Sequence, residues 1–286
     1  MNIKIITDSA ADLSKNVIEQ YNIDVIPLQV FLNDQQFEDG VTIQPNELFQ
    51  GMREGNVYKT SQPLLTRFKD VFEKYAKEKT SCIYIAFSSG LSGTYQSSVM
   101  IKNEVLEEYP DFDCEIFDTK CASVGLGLVV LKAAQLAANG KSKAEILEAI
   151  DFYANHMEHV FTVDNLEYLY RGGRVSLTAA VIGGLLNIKP VLNVEDGKLV
   201  PIEKIRGRKR VFKRMIELME ERGNNLREQT IGICHGDDEE GAETLKIMIR
   251  EKFGTDKFYV NIIGAVIGAH AGPGTLSVFF LNKEAK

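Results

Sequence analysis

The fold is decided by residues 81–94, which read SCIYIAFSSGLSGT. The first seven residues of this stretch form a largely apolar run, typical of a strand buried on both faces of a parallel sheet. The run ends in a loop of serine and glycine, and a helical pattern begins at about Thr94. Strand, tight loop and helix in this order predict one unit of an α/β sheet, with the loop at the carboxyl end of its strand.

The rest of the first half repeats this alternation of short apolar runs and helical stretches. It predicts a mostly parallel sheet flanked by helices. A polar stretch, residues 33–44, interrupts the pattern after the second predicted strand. The predicted elements of this half are strands at 4–7, 24–32, 81–87 and 114–117, and helices at 8–12, 45–51, 65–79, 94–109 and a long one ending near Asn139.

The second half mixes hairpin and helix signals, which predicts an α+β domain with a mixed sheet. Asp196-Gly197 is the turn signal of a hairpin over residues 190–205. We expect two domains, an α/β domain of residues 1–156 and an α+β domain of residues 157–286. The remaining predicted elements are helices at 143–156, 211–222 and 239–253, and strands at 160–163, 230–234, 259–264 and 275–281.

Composition excludes several classes of protein. The 286 residues carry 44% hydrophobic and 26% charged side chains and a net charge of −7. An acidic chain of this kind lacks the basic footprint of a nucleic-acid surface and has no electrostatic attraction to anionic lipid. Residues 1–13 do not resemble a secretion signal, the most apolar stretch (124–138) is too short to span a bilayer, and the four cysteines lack metal spacing. We therefore expect a cytoplasmic protein without stable membrane insertion.

The loop at residues 88–94, SSGLSGT, is the strongest candidate binding segment. Free N–H groups at a helix start and serine hydroxyls suit an anion, and the glycines let the backbone approach it. The alternative is a loop that only caps the helix. No lysine follows the glycine, so the segment is not a Walker A loop. Thr94 stands where a nucleophile elbow around Ser92 would need glycine.

Other polar segments have both a structural and a functional interpretation. Thr60 and Ser61 lie in a TSQP segment that could bind a ligand or cap the helix near residue 65. Residues 8–12, DSAAD, contain the Ser-x-x-Asp pattern of a capping box. His156 and His159 are three residues apart, but no third ligand makes a metal site of them. We predict no metal site.

Basic residues and one histidine are further candidates. Arg171 and Arg174 flank two glycines, and residues 206–214 form a basic cluster that includes Arg206 and Arg214. Arginine matches carboxylate and phosphate geometry, although a solvated helix start is the alternative. His270 lies among small residues in IGAHAGPG, where neighbouring backbone or a ligand could approach the imidazole.

Six ordered segments resemble the DegV family of bacterial fatty-acid-binding proteins over nearly the whole chain. The resemblance implies a two-domain α/β protein that buries a long-chain fatty acid. The matching segments are TDSAADL (7–13), KTSQP (59–63), SSGLSGT (88–94), LEYLYRGGR (166–174), IRGRKR (205–210) and VIGAHAGPG (266–274).

The resemblance also implies roles for individual residues. Thr60 and Ser92 would hold the carboxylate, with Ser61 assisting. Arg206 and His270 would lie near the carboxylate end, and Arg171 would be close to it or face a partner. The protein would be a carrier without a cofactor, not an enzyme. Members of this type present the acid to a separate fatty acid kinase, and the chain has no nucleotide-binding motif of its own.

Two other functions compete with this interpretation. A serine hydrolase would use Ser92 with His270 and an aspartate such as Asp118, an order known from one class of catalytic triad. A nucleic-acid-binding regulator would use the basic cluster at residues 206–214, against the net acidity of the chain.

Overall fold

The computed structural model describes residues 3–176 and 188–284, and within them it consists of two large sheets, one small sheet and flanking helices. The strands are β1 (Lys4–Asp8), β2 (Asp24–Ile26), β3 (Gln29–Leu32), β4 (Gln35–Glu38), β5 (Lys59–Ser61), β6 (Cys82–Ala86), β7 (Cys114–Asp118), β8 (Met157–Thr162), β9 (Ile188–Glu195), β10 (Lys198–Arg206), β11 (Ile231–His235), β12 (Phe258–Ile262) and β13 (Leu276–Leu281). The helices are α1 (Lys15–Gln20), α2 (Pro45–Arg53), α3 (Leu65–Lys77), α4 (Thr94–Glu108), α5 (Ser123–Ala138), α6 (Lys143–His156), α7 (Glu167–Arg171), α8 (Arg208–Arg222), α9 (Glu239–Phe253) and α10 (Ala265–Ala271).

The first sheet has the strand order β2-β1-β6-β7, and all of its neighbours pair in parallel. Every side chain of β6 is buried, as its continuous apolar sequence predicted. The loop of residues 88–94 follows β6 and leads directly into α4, so it lies at the carboxyl end of the sheet. The parallel sheet flanked by helices is therefore confirmed.

The second sheet is mixed, with the order β10-β9-β8-β13-β11-β12. Only β11 and β12 pair in parallel, and the other neighbours are antiparallel. The β9–β10 hairpin turns at Asp196 and Gly197, whose φ values of 45° and 74° are those of a tight primed turn. The predicted hairpin and mixed sheet are confirmed.

A small antiparallel sheet, β4-β3-β5, was not predicted. Residues 33–44 looked like a polar connection, but they contain β4, and the run at 24–32 is divided into β2 and β3. Thr60 and Ser61 lie in β5, where Thr60 pairs with Val30. The helix-cap interpretation of this segment is wrong, because α3 begins after Leu64 without a side-chain cap.

The capping-box interpretation of residues 8–12 is also wrong. A short 3₁₀ helix, Ser9–Ala11, is capped by Asp8, whose carboxylate accepts a hydrogen bond from the backbone N–H of Ala10. Asp12 follows this helix in the left-handed conformation and is bonded to distant parts of the chain. Residues 143–156, in contrast, begin with the capping box that their sequence carries, between Ser142 and Glu145.

Candidate functional site

An apolar cavity lies between the two large sheets. It comprises about 780 Å³ of space free of protein atoms, part of which is open to solvent. Its walls come from the carboxyl ends of β6 and β7, from α10 and from the inner face of the mixed sheet. The apolar side chains of these walls include Leu28, Phe87, Leu91, Phe161, Val194, Leu199, Val266 and Phe279.

Hydroxyl groups and one imidazole meet at one part of the cavity wall. Thr60 Oγ1 lies 2.6 Å from Nε2 of His270, which is carried by α10. Burial and then the nearby charge of Arg174 lower the pKa of His270 to about 4, so its imidazole is neutral at pH 7. Ser61 also lines the cavity, although its hydroxyl donates to the carbonyl of Gln62.

The loop of residues 88–94 presents Ser92 to the same cavity. Ser92 Oγ lies 2.8 Å from Thr94 Oγ1 and accepts a hydrogen bond from the Thr94 N–H at the start of α4. The loop is anchored from the other half of the chain, because the Ser88 hydroxyl donates to the carbonyl of Gly197 in the β9–β10 turn. The loop that carries Ser92 is therefore fastened at its first residue to the β9–β10 turn.

Arg174 is a site residue to which the sequence assigned no specific role. It is partly buried, lines the cavity, and donates from Nε to the carbonyl of Leu91 at 3.0 Å and from a terminal nitrogen to that of Gly172 at 2.5 Å. These bonds hold its guanidinium beside the loop that carries Ser92. Arg174 also lines a surface pocket that adjoins the cavity at Thr60 and His270.

Arg171 and Arg206 do not line the cavity. Arg171, at the end of α7, is exposed, lines only the adjoining surface pocket and forms an ion pair of 2.5 Å with Glu167. Arg206, at the end of the edge strand β10, is exposed and is not among the residues that line the cavity. The structure thus brings Thr60, Ser61, Ser92 and His270 together with Arg174, and it leaves Arg171 and Arg206 outside.

The proposed hydrolase residues are engaged in three separate hydrogen-bonding groups. Ser92 bonds to Thr94, and His270 bonds to Thr60. Asp118 accepts from Ser89 and Lys120. A triad needs one chain of bonds from nucleophile to base to carboxylate, and the contacts of these side chains do not form one.

Two arginines of the basic cluster at the start of α8 are paired with carboxylates. Arg208 forms an ion pair with Asp238. Arg214 is bonded to Glu203 and Glu221, at 2.7 and 2.6 Å. Paired in this way, these two arginines do not form the unopposed positive surface that a nucleic-acid backbone needs.

Three buried carboxylates fasten the segments that form the cavity wall. Asp8 accepts from the Phe87 N–H, Asp12 from the Gly264 N–H and the Ser123 hydroxyl, and Asp39 from the Ala265 N–H. Burial raises the pKa of Asp12 to about 8 and that of Asp8 and Asp39 to about 6.

Within residues 3–176 and 188–284, no group of three or more histidine, cysteine, aspartate or glutamate side chains is arranged to hold a metal ion. In the same part of the chain, no helix is both long and apolar enough to cross a bilayer.

The sequence is similar to that of known proteins over its whole length. A family described as "Uncharacterised protein, DegV family" matches residues 2–283. A DegV domain-containing protein from Clostridium perfringens is 46% identical over 281 residues, which is 97% of each chain.

Two solved structures share the complete fold. A DegV family protein from Thermus thermophilus, described as binding fatty acid, superposes with a TM-score of 0.86 at 30% identity, over 98% of this chain and 99% of that chain. A stearic-acid-binding protein from Eubacterium ventriosum superposes with a TM-score of 0.89 at 27% identity, over 98% and 99% of the two chains. Both sheets and the cavity between them fall within these matches.

Proposed function

The chain belongs to the DegV family, and from that premise we propose that it binds a long-chain fatty acid, with the acyl chain in the apolar cavity and the carboxylate at Thr60, Ser61 and Ser92. The single observation that carries the proposal is the cavity itself, whose apolar walls meet hydroxyl groups at one part of the lining. The relatives from Thermus thermophilus and Eubacterium ventriosum, which are described as fatty-acid-binding proteins, support it.

The acyl chain supplies most of the affinity. Each buried CH₂ contributes about 0.8 kcal/mol, so a sixteen-carbon acid gains about 11 kcal/mol before costs. The lost freedom of the ligand offsets several kcal/mol of this gain. The polar groups of the site therefore act chiefly by orienting the acid and by preventing its carboxylate from being buried without partners.

The carboxylate end needs donors, because an unpaired buried anion is costly. Thr60 and Ser92 each offer a hydroxyl, and the guanidinium of Arg174 lies beside the same loop. His270 is hydrogen-bonded to Thr60 through its Nε2. Two or three charge-assisted hydrogen bonds at this place make a buried carboxylate tolerable.

We also propose that the protein is a carrier that presents its ligand to a separate fatty acid kinase. Sequence and site supply no nucleotide-binding motif, and the carboxylate end adjoins a surface pocket lined by Lys59 and Arg171. Arg171 and Arg206 are exposed, which suits contact with a partner better than contact with a buried acid. We further propose that the chain divides into two domains between residues 156 and 157, where α6 ends and β8 begins.

The test is native mass spectrometry of the purified protein, followed by denaturation and lipid extraction. A stoichiometric added mass that is released as a free long-chain fatty acid is the expected result. The control is Ser277→Phe, which fills the cavity from near the start of β13 and should abolish the added mass in a folded protein. An apo mass that stays unchanged after incubation with palmitate and oleate would contradict the proposal.

A further inference from the structure

Strand β13 leads away from the carboxylate end along one wall of the cavity. Thr275, just before the strand, donates its hydroxyl to the carbonyls of Ala271 and Gly272, next to His270. Alternate side chains of a strand face the same side, so Thr275, Ser277 and Phe279 all line the cavity. Phe279 lies four residues further along the chain than Thr275, a distance of about 14 Å in extended backbone.

Phe279 is paired at this far end with His159 of the neighbouring strand β8. The two rings meet edge to face, with centroids 5.3 Å apart and an angle of 83° between their planes. Only 4% of His159 and 2% of Phe279 are exposed to solvent. The pair therefore forms a continuous aromatic wall where the two strands lie side by side.

The imidazole of His159 has no hydrogen-bonding capacity left for a ligand. Its Nε2 accepts from the Ala122 N–H at 3.2 Å, and its Nδ1–H donates to the carbonyl of Met157 at 3.1 Å. These bonds require the neutral ring, and burial lowers the pKa of His159 to about 4. Towards the cavity, His159 behaves as an apolar ring.

Helix α5 packs closely against the rings of His159 and Phe279. Gly125, in its first turn, lies so close that a Cβ at this position would overlap His159 Nε2 and stand 2.9 Å from Phe279 Cδ1. The Ala122 N–H also fixes the start of α5 to the imidazole. Neither ring can therefore move back to admit a longer ligand unless the helix moves as well.

A second groove begins directly behind this wall. Met157 and Leu281 are the next residue pair on the same face of β8 and β13, and they line the groove together with Leu128 and Tyr153. None of these four residues lines the cavity. The barrier between the cavity and the groove is thus one residue pair thick.

We propose that His159 and Phe279 form the closed end of the acyl cavity and set the longest acyl chain that the protein accepts. This inference rests on the proposed function, since it concerns the same ligand. In the unaltered protein, affinity should rise about fourfold with each added methylene until the terminal methyl group reaches the two rings, and it should then stop rising.

The experiment is a calorimetric titration with saturated fatty acids of twelve to twenty-two carbons. Phe279→Val should open the cavity into the groove behind it and move the optimum to an acid at least two carbons longer. The affinity for that longer acid, relative to the original optimum, should increase about tenfold. Phe279→Leu should give a smaller shift in the same direction, and it supplies the test should the valine variant fail to fold.

The matched control is Val278→Ala. Val278 is the preceding residue of the same strand and is fully buried, but it packs on the opposite face of the sheet and lines neither the cavity nor the groove. It should lose stability without a change in chain-length preference. If the unaltered protein binds acids and the Phe279 variants keep its optimum, the inference is overturned while the proposed function stands. If the unaltered protein binds no acid of the series, the proposed function itself fails.

Discussion

Thr60 and His270 are joined side chain to side chain, with Thr60 Oγ1 2.6 Å from His270 Nε2, although 210 residues separate them in the chain. A threonine hydroxyl has a single proton to donate. If neutral His270 donates its Nε2 proton to Thr60 Oγ1, the hydroxyl proton of Thr60 is free to be donated to a ligand carboxylate. The imidazole then donates to the hydroxyl, and the hydroxyl donates to the carboxylate.

Thr60→Val is expected to weaken palmitate binding about tenfold, because it removes one charge-assisted hydrogen bond and keeps the shape of the side chain. Thr60→Ser keeps the hydroxyl and should stay within about threefold of the unaltered protein. Calorimetric titration at pH 7 measures both. A loss in Thr60→Ser with none in Thr60→Val would show that the methyl group, and not the hydroxyl, matters.

Ser92→Ala is expected to lower the affinity for a fatty acid roughly five- to tenfold and to leave the affinity for the corresponding fatty alcohol nearly unchanged. In the proposed binding mode, the lost hydroxyl would contact only the charged end of the ligand. Ser89→Ala is the control, because Ser89 lies in the same loop but donates to Asp118 and does not line the cavity. Equal losses for acid and alcohol in Ser92→Ala would count against a carboxylate contact.

Local patterns predicted the parts of the fold whose structure is decided locally. The apolar run that became β6 and the Asp196-Gly197 turn each carry their signal within a few residues. The small sheet escaped prediction, because the polar alternation of β4 gives no apolar periodicity and β5 is held by pairing with β3, about 30 residues away along the chain.

In the candidate site, too, features encoded by neighbouring residues could be predicted, whereas those that depend on distant parts of the chain could not. The hydroxyl-bearing segments were found from their composition, but choosing between Arg171 and Arg174 needs the structure. Helix α7 ends at Arg171, and Gly173 then takes a positive φ of 70°, which turns the chain so that Arg174 reaches the carbonyl of Leu91. The partners of Asp12, Ser123 and Gly264, lie more than a hundred residues away, so its Ser-x-x-Asp pattern predicted the wrong contact.

Asp12→Asn is expected to change how stability depends on pH. Burial raises the pKa of Asp12 from 3.8 to about 8, so the folded protein holds a proton that the unfolded chain releases. The stability contributed by this proton is complete below about pH 4 and is lost as the pH rises through about 8. Asparagine carries no such proton.

Urea unfolding of both proteins at pH 5, 6 and 7 measures this effect. The free energy of unfolding of the unaltered protein, minus that of Asp12→Asn, should fall by about 3 kcal/mol between pH 5 and pH 7. His159 and His270, whose pKa values are lowered to about 4, act in the opposite direction, but both proteins contain them and their effect cancels in the difference. A difference that stays constant over this range would show that Asp12 is ionised in the folded protein.

Arg174→Gln is expected to weaken fatty acid binding on the order of tenfold, whereas Arg171→Gln should leave it unchanged. Arg174 is partly buried and lines the cavity, so its charge would act on a bound carboxylate in a poorly screened environment. Arg171 lies outside the cavity, is exposed and is already paired with Glu167.

Arg174→Lys distinguishes the effect of the positive charge from the effect of the guanidinium's position. Lysine keeps the positive charge but cannot reproduce the two bonds to the carbonyls of Leu91 and Gly172, so its affinity should fall between those of the unaltered protein and Arg174→Gln. Titrations at low and high salt with all three variants complete the measurement. A loss in Arg171→Gln as large as that in Arg174→Gln would place the carboxylate near the surface pocket instead, because both arginines line that pocket.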